Sequence, residues 1–339
     1  MQALQSLTIS ETIEGLYQCE AQFNNWGNRG QGPDFLYFDD DLLQFGQTLN
    51  VSLKAGNSDQ LAFKGKISAI EGQFLSGEPP QIQLMAEDAA QAKRQTRRTR
   101  TFEQISDREV IEQIAGDYGL QSDIRLGDHR CPVIAQLNQS DLAFMRERAR
   151  RQAAEIWIED NKLYVQERQK RDSDDKALTL TMNAGLLEFG VLADTANQYS
   201  QVTVSGWDVQ TKKKIAYTAT EDALGSELTG QVSGSTIVKN VFGDRTDRIA
   251  QQMPLTYEEA KAIAEASFRA QARRFVVGKG VAIGDARIRV GRIITFQALG
   301  RWFSGAYRVC EAHHQFCRGP DGGYTTEFVV ERAGLNDID

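Results

Sequence analysis

Residues 303–333, FSGAYRVCEAHHQFCRGPDGGYTTEFVVERA, restate with changes a pattern already present in residues 63–89, FKGKISAIEGQFLSGEPPQIQLMAEDA. Phe63-x-Gly65-x-Ile67 leads on to Glu71, Phe74 and Gly77, then to IQLMAEDA. Phe303-x-Gly305-x-Tyr307 leads on to Glu311, Phe316 and Gly319, then to TEFVVERA. The offset is 240 positions at Phe63/Phe303 and Glu71/Glu311, and drifts to 244 at Glu87/Glu331 and Ala89/Ala333, as a small turn insertion would produce. Upstream, Gly46 and Gly291 each precede an alternating strand, with a longer connection around Gly56-Asn57-Ser58 in the first copy. Self-similarity in fixed order predicts two copies of one β unit in a single chain.

Working outward, residues from Met1 to about Ala90 are short strands and turns, with period-two alternation in Leu49, Val51, Leu53 and in Phe63, Gly65, Ile67. A small barrel is the expected result. Then TFEQISDREVIEQIAGDYGL opens a helix through a capping box at Ser106 and Glu109, with Val110, Ile111 and Ile114 as its apolar stripe and Gly116 or Gly119 as its stop. A second helix follows in SDLAFMRERARRQAAE, with Ser140 as N-cap and Leu142, Met145 and Ala149 on one face. EIWIEDNKLYVQE reads as a hairpin turning at Asp160 and Asn161. From Ala177 strands return in ALTLTM and YSQVTVSGWDVQTKKKIAYTA, and residues 221–248 read as polar loop. Thr256 and Glu259 make another capping box for TYEEAKAIAEASFRAQARRF, and the tail is β again, with a turn at Pro320-Asp321-Gly322-Gly323. The expected fold is β-rich α+β: two similar small β-barrels separated by a mixed α/β domain, with a helix-containing insertion before the final barrel strands. Its expected divisions are 1–98 (first barrel), 99–175 (mixed domain), 176–215 with 275–339 (second barrel) and 216–274 (insertion).

Composition narrows the function classes. The chain has 339 residues, 41% of them hydrophobic and 25% charged, with 6 Pro, which is ordinary globular usage for more than one compact unit. A net charge of −7 gives a field that repels phosphate, so any nucleic-acid site must be a local patch. MQALQSLTIS has neither a basic start nor an apolar core, and no apolar run approaches the roughly 18 residues of a membrane span. Synthesis in the cytoplasm is expected, with Cys19, Cys131, Cys310 and Cys317 as reduced thiols.

Candidate chemistries fail on spacing. Cys310, His313, His314 and Cys317 are close in sequence, but on a strand Cys310 and His314 stand about 13 Å apart, and His313 and His314 point to opposite faces. No strand-nucleophile-helix elbow accompanies the three histidines. Gly278-Lys279-Gly280-Val281-Ala282-Ile283-Gly284 has the wrong spacing for a dinucleotide loop and precedes strands. Asp39, Asp40 and Asp41 read as a solvated acidic turn. The basic run AKRQTRRTRTF at residues 92–102, with Lys93, Arg94, Arg97, Arg98 and Arg100, and the helical group Arg146, Arg148, Arg150 and Arg151 lack interleaved aromatics and adjoin Glu87, Asp88, Glu147 and Glu155. A solvated or subunit-facing role is favoured over contact with nucleic acid.

Three stretches nevertheless resemble one family. They are R100-T-F-E-Q-I-S-D-R-E-V-I-E-Q-I-A-G-D-Y-G-L120; S140-D-L-A-F-M-R-E-R-A-R with the I156-W-I-E-D-N-K-L-Y-V165 hairpin; and F303-S-G-A-Y-R-V-C-E-A-H313 with G323-Y-T-T-E-F-V-V-E-R332. In this order they resemble the phage late control D family, the hub proteins of contractile phage tails, and the hub portion of VgrG spike proteins. The resemblance implies two similar barrels per chain and a homotrimer whose six barrels match a hexameric tail tube protein on one side and a trimeric spike on the other. It also implies other baseplate partners, incorporation into a phage tail or injection particle, no catalysis, no cofactor and no small-molecule substrate. VgrG-type chains continue beyond the hub whereas this sequence stops at Asp339, so the spike or tip is expected to be a separate protein. The run at 92–102 becomes an interdomain connector, its arginines meeting acidic surface on a neighbouring subunit or lining the central channel. Interface candidates are Arg97, Arg98, Arg100, Arg146, Arg150 and Trp302, and metal ligands none. The other readings are a nucleic-acid-binding baseplate component that uses the basic run, and a tail-associated cell-wall hydrolase.

Overall fold

A computed structural model describes residues 3–28, 30, 32–38, 42–159, 161–168, 171, 178–208, 211–228, 230–320 and 322–336. The acidic turn Asp39–Asp41, the turn residues Asp160 and Asp321, and Ala177 lie outside the described residues.

The fold is β-rich α+β. Five strands stand side by side in the order Leu4–Thr12, Gln18–Asn24, Gln81–Glu87, Ser58–Gln73, Thr48–Ala55. Five more repeat that order: Gly185–Ala193, Val276–Ile283, Gly323–Arg332, Gly305–Cys317, Ile293–Gln297. A sixth strand, Leu178–Met182, runs parallel to both Ile293–Gln297 and the start of Gly185–Ala193, and Ile293–Gln297 also pairs with Gly305–Cys317. That circuit closes a six-stranded barrel. Leu178 and Leu180 bring apolar side chains into a core with Phe296, Tyr307 and Phe328, sealed by Phe189 against Phe296 at 4.6 Å. The first unit remains open: among the described residues no strand seals the outer edge of Thr48–Ala55. Its core gathers Leu7, Ile9, Cys19, Ala62 and Phe63. The two units are joined because Ser6–Thr12 pairs antiparallel with Glu311–Cys317, making one eleven-stranded sheet.

The repeat extends to individual hydrogen bonds. Lys66 faces Glu87 and Arg308 faces Glu331, and each long strand then bulges one residue later, between Ile67 and Ala69 and between Val309 and Glu311. The Gly46 N–H donates to the Ile67 carbonyl at 2.8 Å, and the Gly291 N–H donates to the Val309 carbonyl at 2.9 Å. Both glycines have positive φ, +78° and +90°. The long strands therefore align with an offset of 242 (Lys66 with Arg308), which keeps Phe74 opposite Phe316 in the repeat and replaces the expected Phe63/Phe303 and Glu71/Glu311 matches. A slip of two residues leaves every side chain on its own face, so period-two patterning cannot detect it.

Between the units, Arg97–Ser106 pairs with Arg130–Ser140, and Gln121–Ile124 joins the hairpin of Ala154–Glu159 and Lys162–Glu167. Helices Asp107–Asp117 and Asp141–Arg150 pack on these strands through Val110, Ile111, Ile114, Leu142 and Met145. The Ser106–Glu109 capping box is complete, and the Ser140 hydroxyl caps its helix by accepting from the Ala143 N–H. The basic run follows the last strand of the first unit: its first half is the short helix Gln91–Gln95, and its second half opens the strand Arg97–Ser106.

The insertion is larger than polarity suggests. Gln201–Asp208, grouped with the second barrel in the sequence reading, pairs instead with Lys213–Ala219 and Thr246–Ile249, under the helix Tyr257–Ala272. Residues 221–248 contain the helix Gly234–Phe242, capped by the Ser233 hydroxyl, which accepts from the Thr236 N–H. Thr256 caps its helix as expected, but the Glu259 carboxylate accepts from the Leu255 N–H at 2.9 Å, one residue before the capping-box position. No described helix is long and apolar enough to cross a membrane.

Candidate functional site

Most of the basic run is engaged within its own chain. Strand alternation puts Arg98 and Arg100 on one face of Arg97–Ser106, toward Asp141, whose carboxylate is fully buried at the start of its helix. Arg100 donates to Asp141 Oδ1 at 2.6 Å, to Gln136 Oε1 at 2.7 Å and to Asp117 Oδ2 at 3.2 Å. Arg98 lies 3.4 Å from Asp141 Oδ2, and the Tyr118 hydroxyl donates to that oxygen at 2.8 Å. Burial and the neighbouring Asp141 charge both raise the Tyr118 hydroxyl above the usual tyrosine value, which keeps it a donor. Arg97 is exposed and donates to the Asn138 carbonyl at 3.0 Å. Lys93 is buried and donates to the Ala89 carbonyl, while Arg94 pairs with Glu87.

The other interface candidates lie elsewhere. Arg150 pairs with Glu14, and Arg146 stands 3.9 Å from the same carboxylate with its buried Nε and Nη2 lacking a hydrogen-bond acceptor among the described residues. Trp302 is half exposed on the short helix Gly300–Phe303, edge-on to Phe303. The six candidates thus fall in three separate places: the strand Arg97–Ser106, the surroundings of Glu14, and the short helix Gly300–Phe303. The Cys/His stretch forms no cluster: His313 Nδ1 is 3.0 Å from Ser10 Oγ, His314 Nδ1 is 2.9 Å from the Tyr324 hydroxyl, and Cys310 sits at the bulge. Among the described residues no three His, Cys, Asp or Glu side chains are grouped to hold a metal.

What the sequence reading missed is a buried ionic network where all three parts of the chain meet. Glu11, from the first strand, is fully buried and pairs with Arg289, just before the barrel strand Ile293–Gln297. Arg171 donates to the Tyr17 hydroxyl at 2.5 Å and to Glu155 of the middle domain at 3.0 Å. Arg308 of the barrel lies 3.7 Å from Glu155, and Arg168 pairs with Glu331. Burial alone would raise the Glu155 carboxyl, but Arg308, Arg171 and Arg168 together outweigh it and hold it below the usual range. Burial pushes the Tyr17 hydroxyl up to about 12, against the opposing Arg171 charge. Removing one member would strand a buried charge, which makes the network a lock on the mutual orientation of the units. The partners lie far apart in sequence, so no local pattern announces them.

Beside this lock lies a cleft of about 670 Å³ lined by Lys66, Asp88, Trp157, Tyr164, Arg171 and Arg289, among others. Trp157 and Tyr164 stack at 5.1 Å, with the Arg171 guanidinium over the Trp157 ring at 4.4 Å. The described lining contains no Ser, Cys or His, so it offers no nucleophile-base pair of the usual kind.

A family model described as the Alg8 N-terminal domain matches residues 3–317. This chain belongs to that family. Curated proteins yield no match to the sequence. Among solved structures, a tail protein from Neisseria meningitidis MC58 is 12% identical with a TM-score of 0.69, over 98% of this chain and 94% of that one. The 43 kDa tail protein of prophage MuSo2 from Shewanella oneidensis is 10% identical with a TM-score of 0.67, over 98% and 95%. An E. coli component of the type VI secretion system, described as structurally similar to the T4 bacteriophage tail proteins gp27 and gp5, is 12% identical with a TM-score of 0.57, over 100% and 78%. At these identities the likeness is one of fold. The Alg8 N-terminal domain family member described here therefore shares the fold of phage tail proteins along its whole length, as the sequence motifs suggested.

Proposed function

We propose that this chain is the structural hub of a contractile tail or contractile injection particle, a homotrimer that adapts a hexameric inner tube to a separate trimeric spike. The duplicated five-stranded unit carries the reading. Three chains, each holding two such units in one continuous sheet, would present six similar units to a sixfold tube while keeping threefold symmetry for the spike. In this reading the first unit is the counterpart of the closed barrel, so that the chain divides into a first barrel-like region, a mixed domain, a second barrel and its helical insertion. The buried ionic network supports the same role, since a symmetry adaptor has to hold its two units at a fixed angle.

The role is non-enzymatic. Arg98 and Arg100 pair with Asp141 inside the chain, which favours an assembly role over a nucleic-acid grip. Arg97, Arg98, Arg100, Arg146, Arg150 and Trp302 are the interface candidates, and Trp302 is the strongest because it exposes an aromatic ring. The particle would be assembled after synthesis in the cytoplasm, with tube, spike and further baseplate proteins as partners. Native mass spectrometry at micromolar concentration tests the reading: a trimer is expected, and a monomer that persists when tube protein and spike are added would refute it.

A further inference from the structure

The chain carries one strand junction inside itself and the two halves of a second, equivalent junction on opposite ends. We infer that residues Glu188–Asp194 of one copy pair antiparallel with residues Ala69–Leu75 of a neighbouring copy, fusing the sheets of the trimer into a continuous ring. The inference rests on the trimeric hub reading and specifies the contact that would close it.

At the internal junction Ser6 faces Cys317, Leu7 faces Phe316 and so on to Thr12 facing Glu311. The repeat relates each partner to an unpaired counterpart. Gln18 faces both Ser10 and Glu87, as Val277 faces both Leu192 and Glu331, so Ser10 corresponds to Leu192. Bulges coincide under the same relation, between Leu4 and Ser6 and between Leu186 and Glu188. The offset is thus 182 on this strand and 242 on the long one, which carries Ser6–Thr12 onto Glu188–Asp194 and Glu311–Cys317 onto Ala69–Leu75. The transferred register sets Phe189 opposite Phe74, Leu192 opposite Glu71 and Asp194 opposite Ala69. No like charges face one another in it.

Both edges are free in the single chain. Leu178–Met182 covers only Gly185 and Leu186 of its neighbour, and Thr48–Ala55 leaves the long strand at Lys66. Gly46 and Gln47 extend that cover to Ile67; from Ala69 on, and beyond Leu186, each strand is paired on one side only among the described residues, and six strands separate the two edges in the sheet. They do not pair within one copy. Each also exposes apolar side chains, with Leu192 at 64% and Phe74 at 64% accessible. Phe74 touches Phe38 and Phe35 of its own chain yet stays largely exposed, whereas its counterpart Phe316 packs against the core of the unit beside it, the further cover Phe74 would gain from a second copy. An edge of this composition, left open, is a template for pairing. Because the contact is head-to-tail, repeating it three times closes a ring only if the internal and external junctions have similar geometry, as the duplicated strand order provides.

Disulfide trapping tests this. At the internal junction the counterparts of Glu71 and Leu192, His313 and Ser10, bring side-chain atoms to 3.0 Å. In a Cys317→Ser background, Glu71→Cys with Leu192→Cys should give a covalent trimer on mild oxidation, whereas Glu71→Cys with Val191→Cys, one residue out of register, should not. A native trimer without the crosslink overturns the strand pairing and leaves the hub reading standing; a native monomer overturns both. As an independent measurement, Leu192→Asp sets a charge against Glu71 at an exposed position and should weaken trimer association about tenfold. Unchanged association of that variant would also overturn the pairing.

Discussion

The two β units of this chain share strand order, bulge positions and a corner glycine, yet one is a sealed barrel and the other an open curl. The difference lies in a single five-residue strand, Leu178–Met182, with no described counterpart in the first unit. Closure is therefore a local property added to a duplicated scaffold, and the two copies can be compared position by position. Val51 stands where the barrel has Phe296, Gly72 where it has His314, and Asp88 where it has Arg332.

The comparison is broken most severely in the barrel core. Phe296 is fully buried among Phe189, Tyr307 and Phe328, while Val51 is only partly covered. Phe296→Ala should cost about 4 kcal/mol, from lost transfer energy plus a cavity that a closed barrel cannot collapse. Val51→Ala should cost about 1 kcal/mol, because its site is already half solvated. Urea unfolding of both variants measures this directly. Equal losses would mean that the open unit is packed as tightly as the barrel.

Next in size are two buried titrating groups, one per unit, that act in opposite directions. Burial lowers the His314 imidazole to about 4 from its ordinary value of 6.5, so the fold favours the neutral ring. Its stabilising contribution is complete above about pH 6.5 and is lost as pH falls toward 4. Burial pushes the Asp88 carboxyl up to about 6 from 3.8, although the Tyr17 and Ala90 N–H groups donate to it. Its contribution is complete below about pH 3.8 and is lost as pH rises through 6. The parent chain should show partial cancellation between pH 4 and 6. His314→Gln should leave stability that falls across this window, and Asp88→Asn stability that rises, each on the order of 2–3 kcal/mol. Parallel stability-pH curves for the two variants would remove the assignment.

How much of this was legible in sequence depended on distance along the chain. Ser106, Ser140 and Thr256 were readable as helix starts because a cap bonds only three residues ahead. The duplication was readable because Gly46/Gly291 and Glu87/Glu331 are identical at corresponding places. Its register was not, since a two-residue slip preserves the alternation. The basic run drew attention as dense charge, but its partners Asp117 and Asp141 arrive only when Arg97–Ser106 pairs with Arg130–Ser140. The Glu11–Arg289 pair was hidden for the same reason, and so was the difference between the open and the closed unit, which no local pattern in Leu178–Met182 declares.

The smallest effect isolates that last difference at one atom. Gly46 and Gly291 hold the same left-handed corner and make the same hydrogen bond to the long strand. An L side chain at either pays the left-handed backbone cost of about 1–2 kcal/mol. At Gly46 an added Cβ meets nothing within 4 Å, so Gly46→Ala should lose only that amount. At Gly291 the Cβ would come within 2.6 Å of the Arg171 side chain, which bridges Tyr17 and Glu155 in the ionic lock. Gly291→Ala should therefore cost about 1 kcal/mol more than its twin, since a charge-assisted hydrogen bond must loosen to make room. Matched urea melts give the difference, and the double variant with Arg171→Ala sharpens it: with the guanidinium gone, the excess at Gly291 should vanish. If it survives, the corner itself differs between the units, and the equivalence on which the ring of paired strands is built would have to be redrawn there.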